Sequence, residues 1–288
     1  MHSPAKVNLM LSVHGRRADG FHELTSLVVA LKFGDTLTVR IIDSGEDLLH
    51  CSNPEVPSGP DNLVLKAAAA FRSGLGRAVY FEFNLEKRIP MGAGFGGGSS
   101  NAVAALHGIN QLLETPLDKQ VLCEIAAELG SDCPFFIDAT PAWICGRGEK
   151  IEPLGAATVE QLRGRSLALF KPNFEVDTTW AYERLAANAS ESYHPEAVNK
   201  ARVEDSIGSG AFDAPLRNSF EAPVGKKYLA IPTLLEKLRA LGVVCLMTGS
   251  GSGCFVFPEY SAIELKRIKE EVFDAWGEAV FWVETSIY

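Results

Sequence analysis

Apolar and polar residues alternate at the start of the chain. Val7, Leu9, Leu11 and Val13 fall on one side of an extended segment, with Lys6 and Asn8 on the other, because successive side chains of a strand point to opposite faces. Thr36 to Ile41 alternates likewise. Gly34 and Asp35 just before it suit a turn, with Phe33 closing the preceding apolar run. The period then lengthens. Leu63, Ala67, Ala70 and Phe71 share a face at helical spacing within residues 62–73. Ala78 to Leu85 predicts another strand, closing at Lys87-Arg88-Ile89-Pro90. After a glycine-rich stretch, Leu106, Ile109 and Leu113 mark the buried side of a helix. Residues 118–129 predict a second helix through Leu122, Ile125 and Leu129, with Gly130 as its C-cap.

The second half starts with a strand or hairpin from Pro141 to Ile151, containing Gly146 and Gly148. Residues 155–165 mix small, polar and charged side chains and suit a crossover between domains. Leu167 to Phe170 predicts a new strand, and Asn188 to Pro215 reads as loops and short helices. Val243 to Met247 and Cys254 to Phe257 predict strands flanking a second glycine loop. Residues 261–276 are amphipathic through Leu265, Ile268 and Val272, and Ala279 to Val283 predicts the last strand. Strands with interleaved helices and a break near 155–165 make an α+β chain of two domains, 1–160 and 161–288.

Composition narrows the function. Of 288 residues, 47% are apolar and 22% charged, enough apolar surface for a folded core. The net charge of -9 and the lack of a basic run argue against nucleic acid as partner, since its phosphates demand clustered Lys and Arg. No stretch approaches the roughly 20 apolar residues that span a bilayer, and residues 1–6 show no signal-peptide pattern, so no membrane partner and a cytoplasmic location are expected. None of the six cysteines forms a CxxC pair, so reduced, buried thiols are expected rather than a zinc site. Oligomeric state leaves no mark on the sequence.

Three stretches carry chemistry. Pro90-Met91-Gly92-Ala93-Gly94-Phe95-Gly96-Gly97-Gly98-Ser99-Ser100 places five glycines within seven positions ahead of a helix. Such a backbone can turn its N–H groups onto a polyanion, and the helix adds unpaired amides and a partial positive charge there. Ser99 and Ser100 are placed to cap that helix and to offer hydroxyls to phosphate or metal. The stretch lacks the GK[ST] ending of a Walker loop and the later acidic residue of a dinucleotide fingerprint. The plain alternative is a linker, which need not lead straight into an apolar helical stripe. Lys6 and Asn8 share a strand face, and from spacing alone a solvated face is the simpler reading. Asp132, between a helix end and an apolar run, serves as a cap or as a catalytic carboxylate.

In their order, these pieces resemble the GHMP kinase superfamily. The matching segments are Pro4 to Leu9, Arg17 to Leu24, the glycine stretch ending Gly96-Gly97-Gly98-Ser99-Ser100-Asn101, Ser131 to Phe136, and Thr248 to Gly253. They span most of the chain. Arg17-Ala18-Asp19-Gly20-Phe21-His22-Glu23-Leu24 is similar to the branch that phosphorylates the 2-hydroxyl of a cytidine-diphosphate adduct of methylerythritol, in the non-mevalonate isoprenoid pathway.

The resemblance implies an α+β, two-domain GHMP kinase fold, with an N-terminal ribosomal-S5-like domain and a C-terminal ferredoxin-like domain. It implies ATP bound along Pro90 to Ser100, and Mg²⁺ that bridges the ATP phosphates, keeps its waters and has Ser100 as its nearest protein contact. Asp132 is implied as the base for the substrate hydroxyl, with Lys6 beside it. The substrate, a small molecule carrying cytidine diphosphate, is implied to meet Phe21, His22 and Tyr182 at its base, Asn8 at methylerythritol, and Gly249, Ser250 and Gly251 of the second loop. Without the resemblance, Phe21 and Tyr182 would read as core. Phe21 stands where tyrosine is usual, Phe95 where leucine is usual, and Cys133 where a β-branched residue is usual. A non-catalytic sensor of this fold would lack the base or the loop, and both are present.

Overall fold

The alternating segments at the start of the chain are long strands in the computed structural model, which describes residues 1–76, 78–114, 117–194, 197–208 and 216–288. β1 spans His2–Arg16 and β2 spans His22–Ile42, and the two pair with each other. Two predictions need correction here. Residues 5–13 of β1 are buried on both faces, so Lys6 and Asn8 do not lie on a solvated face. Gly34 and Asp35 form no turn, because β2 runs straight through them. Asp35 is fully buried, and its carboxylate accepts the amides of Arg88 and Ile89 at 2.7 and 2.8 Å and pairs with Lys87. Gly34 serves close approach: a Cβ there would stand 2.6 Å from the His2 ring and 2.9 Å from the Pro4 Cα.

The chain divides into two compact units. The first comprises Met1–Ala5, Phe33–Pro90 and Gly96–Ala139, the second Lys6–Lys32, Met91–Phe95 and Thr140–Tyr288. In the first unit, β3 (Leu48–Cys51) lies parallel to β4 (Tyr80–Glu86), and β4 lies antiparallel to residues 36–42 of β2. A parallel neighbour needs a crossover, and α1 (Leu63–Leu75) supplies it, capped by Asn62 onto the Val64 amide. Its buried face is Val64, Ala67, Ala68 and Phe71, one step from the predicted stripe. α2 (Gly97–Leu112) and α3 (Lys119–Leu129) form where their spacing predicts, with Asp118 capping α3 and Gly130 ending it. A short helix, α4 (Cys133–Asp138), follows.

In the second unit, residues 24–28 of β2 pair with β5 (Ala142–Gly146), which forms the predicted hairpin with β6 (Lys150–Pro153). Residues 155–165 hold a helix, α5 (Ala156–Leu162), with Thr158 and Leu162 buried. The rest follows as β7 (Ser166–Lys171), α6 (Thr178–Ala187), α7 (Ala189–Ser192), α8 (Lys200–Gly208), α9 (Glu221–Gly225), α10 (Ala230–Ala240), β8 (Val244–Met247), β9 (Cys254–Phe257), α11 (Leu265–Trp276) and β10 (Phe281–Ser286). β7, β8, β9 and β10 form a sheet in the order β10-β7-β9-β8, antiparallel throughout. That order, with helices after the first and third strands, is the ferredoxin-like arrangement. α6 and α10 carry no prediction from the sequence. The expected short helices of 188–215 include α7 and α8, while 195–196 and 209–215 lie outside the described residues.

All six cysteines are free. Cys133, Cys245 and Cys254 are buried as expected, and Cys51, Cys123 and Cys145 are half-buried. Burial pushes the Cys133 thiol up to about 11 and the Cys245 thiol up to about 12. Among the described residues, no helix is long and apolar enough to cross a membrane.

Candidate active site

The glycine stretch falls in two parts. In the first unit, Pro90 is half-buried and Gly96 holds a left-handed φ of 71° as the N-cap residue of α2. No side chain caps this helix, so Ser99 and Ser100 do not have the capping role their positions suggested. The first-turn amides of Gly97, Gly98 and Ser99 therefore keep the unpaired N–H groups that suit an anion. Gly97 is packed closely: a Cβ there would stand 2.7 Å from Lys87 Nζ and 3.0 Å from Ile89 Cγ2. A Cβ on Gly98 would meet only Leu63 Cδ1, at 3.7 Å. Ser100 is buried, and its Oγ accepts from Ser3 Oγ at 2.8 Å. Asn101 Nδ2 reaches both Ser3 Oγ and Asp35 Oδ2 at 2.8 Å. Asp35 thus ties the approach to the glycine stretch and the start of α2 to one buried carboxylate.

Also in the first unit, Asp132 immediately precedes α4 and is half-buried. Its side chain makes no capping bond to that helix, so the cap allowed by the sequence does not form. Ser99 hydrogen-bonds Cys133, the residue after Asp132.

In the second unit, Met91 is half-buried, Gly92 and Gly94 hold φ of 57° and 73°, and Ala93 and Phe95 are buried. Phe95 packs against Phe281, ring centroids 6.4 Å apart, and its carbonyl accepts the Lys6 amide at 2.9 Å. A Cβ on Gly92 would stand 2.5 Å from Glu175 Cδ. The second glycine loop, Thr248–Gly253, bonds to this stretch through Ser252 N to Gly92 O at 3.3 Å and Gly253 N to Ala93 O at 3.1 Å. Gly249 and Gly251 have φ of 57° and 85°, and Ser250 Oγ lies 3.0 Å from Thr178 Oγ1.

Lys6 and Asn8 are 5% and 6% exposed. Lys6 Nζ donates to Asn8 Oδ1 at 2.8 Å. Asn8 Nδ2 donates to Ser26 Oγ at 2.8 Å, and Ser26 passes its own proton to Met10 O at 2.7 Å. That bond fixes the amide orientation: Ser26 Oγ has only acceptor capacity left, so Nδ2 faces it and Oδ1 faces Lys6.

An aromatic group stands apart from these bonds in the same unit. His22 lies 5.1 Å from Tyr182, ring to ring, and its Nε2 lies 3.1 Å from the Tyr193 hydroxyl. Burial first, and then Arg16, holds the His22 imidazole below its ordinary pKa of 6.5, so its neutral form is favoured. Phe21 is 47% exposed with the Arg147 guanidinium 4.9 Å over its ring, so it is not core. Tyr182 is half-buried and packs edge-on against Phe220 at 4.8 Å. Tyr193 and Thr178 carry no role in the sequence reading, and Asp35 only that of a turn residue. Thr248 had a signal only as the first residue of the second glycine segment. Among the described residues, no cluster of three or more His, Cys, Asp and Glu stands ready to hold a metal ion.

Known proteins agree with this architecture. Family models for the GHMP kinases N terminal domain and the GHMP kinases C terminal domain match residues 62–140 and 199–278. A 4-diphosphocytidyl-2-C-methyl-D-erythritol kinase of Methylacidiphilum infernorum is 36% identical over 88% of this chain and 84% of its own. The protein of that name in Salinibacter ruber is 35% identical over 90% of each chain. A crystal structure of 4-(cytidine 5'-diphospho)-2C-methyl-D-erythritol kinase superposes with a TM-score of 0.79 at 32% identity, covering 99% of this chain and 98% of that one. The Methanococcus jannaschii mevalonate kinase, at 0.66 and 15% identity, shares the fold. The chain therefore belongs to the GHMP kinases and, within them, to the family of the 4-diphosphocytidyl-2-C-methyl-D-erythritol kinases.

Proposed function

We propose that this protein transfers the γ-phosphate of ATP to the 2-hydroxyl of 4-diphosphocytidyl-2-C-methyl-D-erythritol, a step of the non-mevalonate isoprenoid pathway. One observation carries the reading: the likeness to kinases of that name runs over nearly the whole of both chains. For function, the chain divides into 1–160, with the ATP stretch and the base, and 161–288, which completes substrate binding.

An alcohol is too weak an acid to attack unaided. Asp132 accepts its proton as the new P–O bond forms, and its place beside Cys133, which bonds Ser99 of the glycine stretch, supports that role. Lys6 supplies a fixed ammonium for the reacting oxygen or the transferred phosphoryl group, and its tether to Asn8 supports a defined direction. Residues 90–100 hold the ATP phosphates, a role supported by the left-handed Gly92, Gly94 and Gly96 and by the uncapped α2. Mg²⁺ would need few protein ligands here, with Ser100 as the expected nearby hydroxyl, and would supply neutralisation of the phosphate charge. Phe21, His22 and Tyr182 receive the cytosine, Asn8 meets the methylerythritol part, and the second glycine loop, with Gly249, Ser250 and Gly251, closes over the phosphates or the substrate. Orientation does most of the work, because positioning and charge neutralisation dominate phosphoryl transfer. The enzyme acts in the cytoplasm, on a small molecule, without nucleic acid or membrane as partner.

The test is an ATP-consumption assay with the cytidine diphosphate adduct, bare methylerythritol, mevalonate and homoserine. The adduct should be the efficient substrate, because remote binding of the nucleotide orients the alcohol. Efficient turnover of mevalonate or homoserine, with indifference to cytidine, would overturn the reading.

A further inference from the structure

Thr248 is fully buried, and its hydroxyl is committed twice to one residue. It accepts the Asn8 amide at 2.9 Å and donates to Asn8 Oδ1 at 3.1 Å. The other bond to that oxygen comes from Lys6 Nζ at 2.8 Å. A carbonyl oxygen has two lone pairs, so Lys6 and Thr248 fill Asn8 Oδ1 between them. Because Asn8 N–H occupies the acceptor side of the Thr248 hydroxyl, its proton is directed at Oδ1.

Thr248 is itself held on both sides. Asn218 Nδ2 donates to Met247 O at 2.7 Å and to Gly249 O at 2.8 Å, the carbonyls flanking Thr248. Asn218 Oδ1 accepts the Phe220 amide at 2.9 Å, so its amide orientation is set as well. The Thr248 carbonyl accepts the Gly251 amide at 3.0 Å, and its amide donates to Gly253 O at 2.9 Å. The start of the second glycine loop is thus a rigid support.

We infer that Thr248 is a positioning residue for the Lys6 ammonium, acting through Asn8, so that the second glycine loop sets the direction of the lysine. The inference rests on the reading of Lys6 as catalytic. It gives Asn8 a role of its own: with Oδ1 filled, Asn8 faces substrate only through its remaining Nδ2 hydrogen. Without the Thr248 hydroxyl, Oδ1 keeps its lysine and Nδ2 keeps Ser26, but Oδ1 loses one of its two donors and the Asn8 amide loses its acceptor, so the tether is looser and Lys6 samples directions in which it does not meet the reacting oxygen.

Thr248→Val, Thr248→Ser and Lys6→Met, singly and with Lys6→Met/Thr248→Val combined, test this. Thr248→Val should lower kcat about tenfold, the rate equivalent of one hydrogen bond, and leave the KM for ATP within about twofold. Thr248→Ser should restore kcat, and Thr248→Val should cost nothing further once Lys6 is methionine. If Thr248→Val does not fold, Thr248→Cys replaces it, since a thiol is a weak partner in both directions, and the same loss is expected. A loss that persists undiminished in the Lys6→Met background, or an unchanged kcat in folded Thr248→Val or Thr248→Cys, overturns the inference and leaves the role of Lys6 standing. An unchanged kcat in Lys6→Met alone overturns that role instead.

Discussion

Gly253 donates its amide to the carbonyl of Ala93 at 3.1 Å, so the two glycine-rich segments of the second unit are bonded backbone to backbone. The contact leaves no room for a side chain: a Cβ on Gly253 would collide first with the Ala93 carbonyl oxygen and then stand 2.6 Å from Cζ of the buried Phe95 ring. Gly253→Ala should therefore cost about 1–3 kcal/mol, as overpacking of a well-filled core does, read as a lower denaturant midpoint. Adding Phe95→Leu should recover part of that loss. No loss in Gly253→Ala would mean that the two segments separate at no cost.

Gly98 differs, because it lies within α2 and a Cβ there meets only Leu63 at 3.7 Å. Gly98→Ala should stabilise the fold by about 0.5–1 kcal/mol, since glycine is the weaker helix former. If phosphate approaches this backbone closely, the same variant should bind ATP more weakly. Thermal unfolding and nucleotide titration separate the two effects. A stabilised variant with unchanged ATP affinity would place the phosphates away from Gly98.

Asp132→Asn preserves shape and removes the capacity to take a proton. Turnover should fall by about 10²–10⁴-fold, the usual range for loss of a general base, with ATP affinity nearly retained. Near-normal turnover in the folded variant would remove Asp132 from the reaction.

Stability should depend on acid through the histidines. Burial is the largest influence on His2, His22 and His194, and each is held below the ordinary 6.5 in the folded protein. The unfolded chain then takes up protons near 6.5 that the folded chain refuses. The contribution of these residues is complete above that pH and is lost as pH falls from it toward the lowered folded values. The melting temperature should decline between about pH 7 and pH 5, and His22→Gln should flatten the decline. A slope that His22→Gln leaves unaltered would remove His22 from this effect.

The sequence by itself determined the elements with a clear period and the pieces with a phosphate-binding composition. α2, α3 and α11 follow from apolar residues three and four apart, and the β5–β6 hairpin from its glycines. Five close-set glycines before a helix point to an anion whatever the rest of the chain does, because glycine's freedom and the helix end are local properties. Burial was not local. Alternation in β1 suggested one wet face, but a period of two cannot tell a strand covered on one side from one covered on both. Only packing turned Lys6 and Asn8 inward. The same holds for Asp35, where Gly-Asp has the composition of a turn and yet serves as a buried anchor for residues 52 to 66 positions away. Thr248 and Asn8 are separated by 240 residues. No spacing rule connects them, and the bonds that direct Lys6 exist only because the tertiary fold brings a loop of the last quarter of the chain against its first strand.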